Sequence, residues 1–431
     1  MSKSYGLRRF AKIEFLRKVN FNLLLRMLRP FREYIERKGG AIFTDDVATF
    51  PFESLAKILT SPGDDAPVKL FDAFFFIDEM SGDELFDKLY KESLDAGIDF
   101  TGYTDLTPCD LAVFVWLENP ELLQRLHAGL HLTKARRFET FFSHSIGKLD
   151  TTKTAIGNLE TALNGYFAEV RKGTGVRVFV FESANETWFL IRHGQPMKRE
   201  AAIADDGEST GVLFRPEIYD VLYYTHEDGQ IHLHTTTVGE KKAYCKLIGA
   251  HLFNDETLFV YSRLTAKFSL EPIRRDGHKC LICSDIKGIE SIALIEMRFV
   301  LNAKRHHYVT HKADCIFQSF EELDEELPTD HENDRASFRV RFKGDKKSRV
   351  VTLCVPNIAV FERDSDCGPI YEFLKKRGFI YEAKEGNDEG AILQFKLANG
   401  NVRGQSGSDG VLENESRQRV RLAQTVSAAN W

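Results

Sequence analysis

Residues 219–237 read YDVLYYTHEDGQIHLHTTT and carry the clearest structural signal in the chain. Two runs that mix apolar and polar residues flank Asp228-Gly229, a dipeptide that favours the tight turn of a β-hairpin. After this stretch the spacing of apolar residues becomes helical and predicts a helix from about residue 240 to residue 252. A hairpin has one apolar face, and a helix that follows can cover it. The stretch therefore predicts an antiparallel hairpin packed against a helix.

The same order of two strands and a helix recurs twice further along the chain. The second unit has strands at 292–301 and 307–311 with a helix near 317–323, and the third has strands at 337–342 and 349–355 with a helix at 370–377. An earlier hairpin is expected over residues 176–193, with its turn at 183–186. Because short turns join successive strands, we expect antiparallel pairing.

The first 135 residues have helical spacing of apolar side chains. Thr107-Pro108-Cys109-Asp110 has the form of a helix start, with a capping Thr and a Pro at the first helical position. Further helices are predicted from Pro120 and over residues 151–170. The sequence thus predicts an α+β protein with a helical N-terminal domain and a β-rich remainder built from hairpin-helix units.

The chain of 431 residues is too long for one ordinary core. We expect a helical domain at residues 1–135, an α+β domain at 136–325, and a third region at 335–400. The third region is either a small α+β domain or an extension of the same sheet. Residues 401–431 are expected to be a disordered tail because they are rich in Gly, Ser, Gln and Asn. Residues 201–212 are expected to form a polar loop.

The composition indicates a cytoplasmic protein that does not enter a membrane. No stretch reaches the roughly 18 unbroken apolar residues that a membrane-spanning helix requires. Seven cysteines, an odd number scattered along the chain, do not suggest a disulfide framework and favour reduced thiols. The net charge of −6 conceals a basic N-terminus, where residues 1–38 hold eleven Lys and Arg against three Glu.

The segment FLIRHG at residues 189–194 resembles the strand-RHG motif of the histidine phosphatase superfamily. The resemblance implies that His193 is the nucleophile that accepts a phosphoryl group and that Arg192 binds phosphate oxygens. Here the motif lies on the return strand of a hairpin, and no second His-Gly pair exists in the chain. An alternative interpretation is a strand that ends in a turn, with Arg192 in solvent.

Two further groups of side chains raise the question of metal binding. His226, His232 and His234 flank the Asp228-Gly229 turn, where a metal-dependent nuclease or hydrolase could use them. Cys280 and Cys283 form a CxxC pair, with His307, His311 and Cys315 downstream. On the expected strand, His307 and His311 would lie roughly 13 Å apart, which is too far for one tetrahedral zinc ion. No phosphate-binding loop or dinucleotide fingerprint is present. We therefore predict no metal and no cofactor.

Basic residues offer a possible nucleic-acid surface. Lys and Arg can contact the phosphate backbone, although they also keep helices and turns soluble. The residues assigned to this role are Arg29, Arg32, Arg37 and Lys38 in the N-terminal block and Lys346 and Lys347 at a hairpin turn.

The leading hypothesis is a non-catalytic interaction protein that binds nucleic acid or a nucleic-acid-processing partner. It could act as an accessory factor in bacterial genome maintenance or phage defence. One alternative is a phosphohydrolase or metal-dependent nuclease centred on residues 190–235, so the sequence leaves open whether the protein is an enzyme. Another alternative is a homo-oligomeric scaffold, in which the partner is a second copy of the chain.

Overall fold

The computed structural model describes residues 7, 9–39, 44–63, 65–204, 207–260, 266–328, 331–345, 347–363 and 367–381. The expected tail at 401–431 and Lys346 lie outside these residues. Within the described part of the chain, no helix has the length and apolar character needed to cross a bilayer.

The N-terminal part is a bundle of helices around one core. The helices are α1 (Ile13–Leu16), α2 (Phe21–Leu28), α3 (Arg32–Gly39), α4 (Phe52–Thr60), α5 (Val68–Met80), α6 (Phe86–Asp95), α7 (Pro108–Glu118) and α8 (Pro120–Lys134). Helix α7 lies at the centre, with residues 109–115 all buried. It begins at the predicted capping box, where Thr107 and Asp110 bond reciprocally to each other's backbone amides. The Asp110 carboxylate also accepts the Asn20 amide at 2.6 Å, which ties α7 to the start of α2.

The rest of the described chain forms one large antiparallel sheet and a two-stranded ribbon. The strands are β1 (Arg137–Ser143), β2 (Arg177–Glu182), β3 (Glu186–Gly194), β4 (Lys198–Ile203), β5 (Ser209–Phe214), β6 (Glu217–Thr225), β7 (Ile231–His234), β8 (Phe259–Val260), β9 (Ile289–Asn302), β10 (His307–Lys312), β11 (Glu332–Phe342), β12 (Arg349–Cys354) and β13 (Ile358–Val360). The helices are α9 (Lys153–Glu169), α10 (Val238–Leu252), α11 (Glu271–Asp276), α12 (Ile316–Glu322) and α13 (Cys367–Lys376). The large sheet has the order β10-β9-β11-β12-β13-β1-β7-β6-β3-β2, and β8 pairs with the end of β1.

The predicted α+β class and hairpin-helix units are confirmed. Strands β6 and β7 precede α10, β9 and β10 precede α12, and β11 and β12 precede α13. In the third unit, β13 lies between β12 and α13 and pairs with β1. This pairing joins residues 332–360 to the same sheet as β1.

The prediction of a polar loop at residues 201–212 is wrong. The chain there forms the ribbon, in which β4 pairs with β5 from Lys198↔Phe214 to Ile203↔Ser209. The polar composition of residues 204–208 concealed the strands on either side.

Among the described residues, one face of the sheet carries helices over both halves, whereas the other face carries helices only over the half formed by β1, β7, β6, β3 and β2. Phe138 on β1 pairs with Ala359 on β13, so both side chains point the same way. Phe138 packs beneath α8, whereas Ala359 packs in the core shared with α11, α12 and α13. The core beneath α9 and α10 contains Phe141 and lies on the other face. Where this second face continues over β13, β12, β11, β9 and β10, Arg339 and Lys312 are 41% and 68% exposed. We call that surface the open face.

Candidate functional site

A buried polar cluster joins the sheet to α9 and α10. His193 on β3 and Asp220 on β6 are 2% and 3% exposed. His193 Nε2 lies 3.0 Å from Asp220 Oδ2. The same carboxylate oxygen accepts a hydrogen bond from the Tyr244 hydroxyl at 2.6 Å, and the Thr235 hydroxyl oxygen lies 2.9 Å from it. The His193 ring stacks on Phe167 of α9, with 4.0 Å between ring centroids. The polar groups of three elements therefore meet in one enclosed network.

Glu240 extends this network into the first turn of α10. Its carboxylate is paired with Lys172 and accepts the Thr235 hydroxyl at 2.7 Å and the Thr237 amide at 3.0 Å. Burial alone would raise the pKa of Glu240, but hydrogen bonds from Lys172, Thr235 and Thr237 outweigh it and lower the pKa to about 2. Glu240 thus stays ionised while it caps α10.

Arg192 and His193, the catalytic residues that the phosphatase resemblance implies, lie on opposite faces of β3. Arg192 donates to the Gly175 carbonyl at 3.4 Å, and its Nε lies 3.6 Å from a Glu217 carboxylate oxygen. His193 Nδ1 faces the Gly194 carbonyl at 3.0 Å. Both nitrogens of His193 therefore already face acceptors in the interior, and one phosphate could not reach both side chains as they are placed.

The buried cluster also contains the one group of metal-ligand side chains found among the described residues. The ligand atoms of His193, Asp220 and Glu240 lie within 4.8 Å of one another. An ion bound there would have to displace the hydrogen bonds from Tyr244 and Lys172, and the Lys172 charge would oppose a cation. The cluster is better explained as a hydrogen-bond network that connects the sheet to α10 than as a metal centre.

The three histidines near the Asp228-Gly229 turn do not come together in one site. His232 is buried, with Nδ1 2.9 Å from the Thr140 hydroxyl, whereas His226 Nε2 lies 2.9 Å from the Thr187 hydroxyl. His234 Nδ1 donates to a backbone carbonyl at 2.8 Å. Each ring thus has its own partner.

The CxxC pair lies in the core of the C-terminal half of the sheet. Burial raises the pKa of Cys280 to about 12, which opposes the thiolate that zinc requires. The imidazole of His311 packs against the rings of Phe299 and Phe320. These contacts account for both kinds of side chain as packing groups.

The predicted N-terminal cations each lie beside a carboxylate. The pairs are Arg29–Asp45 at 3.1 Å, Arg32–Glu36 at 3.0 Å, Arg37–Asp65 at 2.6 Å and Lys38–Asp65 at 2.9 Å. Local acidic groups therefore offset much of this block's positive charge. Lys347 is exposed at the turn between β11 and β12.

The open face is built from two adjacent rows of cross-strand neighbours. One row is Arg137, Val360, Thr352, Ser337, Glu296 and Lys312. The next row is Glu139, Ile358, Cys354, Arg335, Arg298 and Thr310. Since directly paired residues point to the same side, both rows share one surface. The Ser337 and Thr352 hydroxyl oxygens, 2.9 Å apart, are buried at its floor.

Cationic side chains outnumber carboxylates on the open face. Arg298 binds Asp334 through two hydrogen bonds of 2.7 Å, and Arg339 lies 3.1 Å from Asp314. Burial raises the pKa of Cys354, and the charges of nearby Arg335, Arg137 and Arg298 act in the opposite direction. The cations are Arg137, Arg298, Lys312, Arg335, Arg339 and Arg341, and the carboxylates are Glu139, Glu296, Asp314, Glu332 and Asp334.

Sequence reasoning missed the open face, although one signal was present. Arg335, Ser337, Arg339 and Arg341 alternate with Ala336, Phe338, Val340 and Phe342 along β11. This alternation predicts a half-buried strand whose arginine side is available to a partner.

Comparisons of this chain with protein-family models and with curated protein sequences find no match.

Proposed function

We propose that the protein is a non-catalytic nucleic-acid-binding protein whose open face contacts the phosphate backbone. The observation that supports this proposal is the set of six cationic side chains from β1, β9, β10 and β11 on one solvent-facing sheet surface. Phosphate groups complement such a surface, and arginine can bind them through two parallel hydrogen bonds.

The ion pairs on the open face suit a reversible contact. Arg339 pairs with Asp314, whose side chain is 98% exposed, so a phosphate can replace this carboxylate without leaving a buried charge. Ser337 and Thr352 are buried and lie within hydrogen-bond distance of each other, so they do not present free hydroxyl groups to a phosphate. We therefore assign the principal contacts to the arginines and expect recognition of backbone rather than of base sequence.

A direct test compares two double variants of the full chain in binding to labelled duplex DNA, single-stranded DNA and RNA at several salt concentrations. Arg339→Ala with Arg341→Ala removes two cations from the open face. Arg29→Ala with Arg32→Ala is the matched control, since it removes two exposed arginines from the N-terminal block.

The proposal predicts a weaker affinity and a salt slope reduced by up to ~2 for the open-face variant, because each backbone contact contributes about 0.9 to the slope for duplex DNA. The N-terminal variant should retain the wild-type slope. No binding by the wild-type protein, or loss confined to the N-terminal variant, would refute the assignment to the open face.

A further inference from the structure

The ribbon of β4 and β5, which we call the arm, connects the paired strands β3 and β6 near one edge of the large sheet. Strand β3 ends at Gly194 and β6 begins at Glu217, so the arm lies between two strands that pair in the large sheet. Every residue of β5 is exposed, and β4 is nearly so. The arm therefore projects from the body without a core of its own.

The base of the arm is fixed to the body. The Gln195 amide donates to the Pro216 carbonyl at 2.8 Å. Arg215 Nη1 donates to the Gln195 carbonyl at 2.7 Å and to the Arg171 carbonyl at 2.8 Å. These bonds hold both strands where they leave the sheet, so the arm has a defined direction.

The arm exposes apolar side chains that its own two strands cannot cover. Ile203 is 78% exposed, Leu213 is 68% exposed and Val212 is 51% exposed. A two-stranded ribbon is marginally stable in water, whereas a sheet of three or more strands can be stable by itself. The arm thus has the properties of a segment that is completed by another strand.

The two edges of the arm differ in charge. Strand β4 carries Lys198, Arg199 and Glu200, and charges on an edge strand oppose pairing with further strands. Strand β5 has the sequence STGVLF and carries no charge. The free edge of β5 is therefore the one suited to accept a strand.

We propose that β5 pairs with β5 of a second copy of this chain across a two-fold axis. The strand is uncharged, so antiparallel self-pairing brings no like charges together, and the two arms would form a four-stranded sheet. The same surface patch serves both copies, as a two-fold interface requires. This interface is separate from the open face and does not depend on nucleic-acid binding.

The hydrogen-bond pattern of the arm identifies the residues for a test. The Ala204 amide donates to the Glu208 carbonyl at 3.0 Å, and hydrogen-bonded pairs alternate along an antiparallel ladder. The pair Arg199↔Leu213 then falls at a position without hydrogen bonds between β4 and β5. The amide of Leu213 consequently points to the free edge of β5, and that of Arg199 points to the free edge of β4.

Leu213→Pro and Arg199→Pro are therefore matched variants, since each removes one outward-pointing amide and leaves the pairing of β4 with β5 intact. The molar mass of the full chain would be measured by light scattering after size exclusion over a range of concentrations. Circular dichroism and the thermal midpoint would verify that each variant is folded. Leu213→Lys adds a test that introduces charge at the same edge without a change in the backbone.

The expected result is a dimer for the wild-type protein and for Arg199→Pro, and a monomer for Leu213→Pro and Leu213→Lys. A wild-type protein that stays monomeric at the highest concentration would overturn the proposal. So would a dimer that survives both Leu213 substitutions, or one that only Arg199→Pro dissociates.

Discussion

His193 Nε2 lies 3.0 Å from Asp220 Oδ2, and neither side chain is reached by solvent to any useful extent. The two residues are on neighbouring strands, and the arm separates them along the chain. Their contact fixes the ends of β3 and β6 at the place where the arm leaves the sheet. The buried cluster therefore stabilises the base from which the proposed dimer contact projects.

Substitution of either partner in this contact should destabilise the fold strongly. His193→Ala and Asp220→Ala should each lower the free energy of unfolding by about 3 kcal/mol, because each leaves a buried polar group without its partner. The double variant should lose less free energy of unfolding than the two single variants added together, because each single variant already loses the same interaction. Urea unfolding of the four proteins measures this coupling, with exposed His307→Ala as a control. Strict additivity would show that the two side chains act independently.

Glu240 should make the protein sensitive to acid. Its folded pKa of about 2 lies below its usual value of 4.5, so its contribution is present above that value and is lost as the pH falls towards 2. The difference corresponds to ~3 kcal/mol at neutral pH. Glu240→Gln should remove this part of the pH dependence between pH 4.5 and 2. Urea unfolding at each pH measures the effect, and equal acid dependence of the wild-type protein and the Glu240→Gln variant would contradict the assignment.

The positions of most elements were predictable because their signals are local. The Asp228-Gly229 turn marks one hairpin, and the Thr107–Asp110 capping box marks the start of α7. The cluster of His193, Asp220 and Glu240 was not predictable, since it depends on the pairing of β3 with β6 across residues 195–216, which include the predicted loop at 201–212.

The open face also depends on contacts between strands that are far apart in the sequence. Its existence follows from the pairing of β1 with β13 and from the position of α9 and α10, which cover the second face over β1, β7, β6, β3 and β2 but not over the strands beyond β13. Neither feature leaves a local pattern in the sequence. The alternating arginines of β11 indicated a polar side of one strand, but not that this side would be left open.

His232 should destabilise the protein at mildly acidic pH. Burial lowers its pKa well below the ordinary value of 6.5, and the nearby charges of Lys267 and Arg363 act in the same direction. The folded state therefore binds fewer protons than the unfolded state, and stability falls as the pH drops below 6.5. His232→Asn can keep a hydrogen bond to Thr140 but cannot take up this proton. Urea unfolding between neutral and acidic pH should show a shallower loss of stability for the variant, and an unchanged slope would argue against His232 as the source.

Arg363 should contribute to the junction between the two halves of the sheet. Its guanidinium carbon lies 4.1 Å from the centroid of the Phe138 ring on β1 and 4.3 Å from that of Phe361, which follows β13. It also donates to the Arg136 carbonyl at 2.9 Å. A cation enclosed by aromatic faces is worth about 2 kcal/mol when it is shielded from water. Arg363→Met should therefore lower the free energy of unfolding by that order.

Arg363→Lys separates the role of charge from that of shape. A lysine retains the positive charge but lacks the planar guanidinium that stacks on both rings and donates in a fixed direction. The Lys variant should therefore recover only part of the stability lost in the Met variant, as measured by urea unfolding, while Lys347→Ala at an exposed turn should have little effect. Full recovery by lysine would mean that charge alone holds the junction, and the stacking of Arg363 on Phe138 and Phe361 would then contribute nothing measurable.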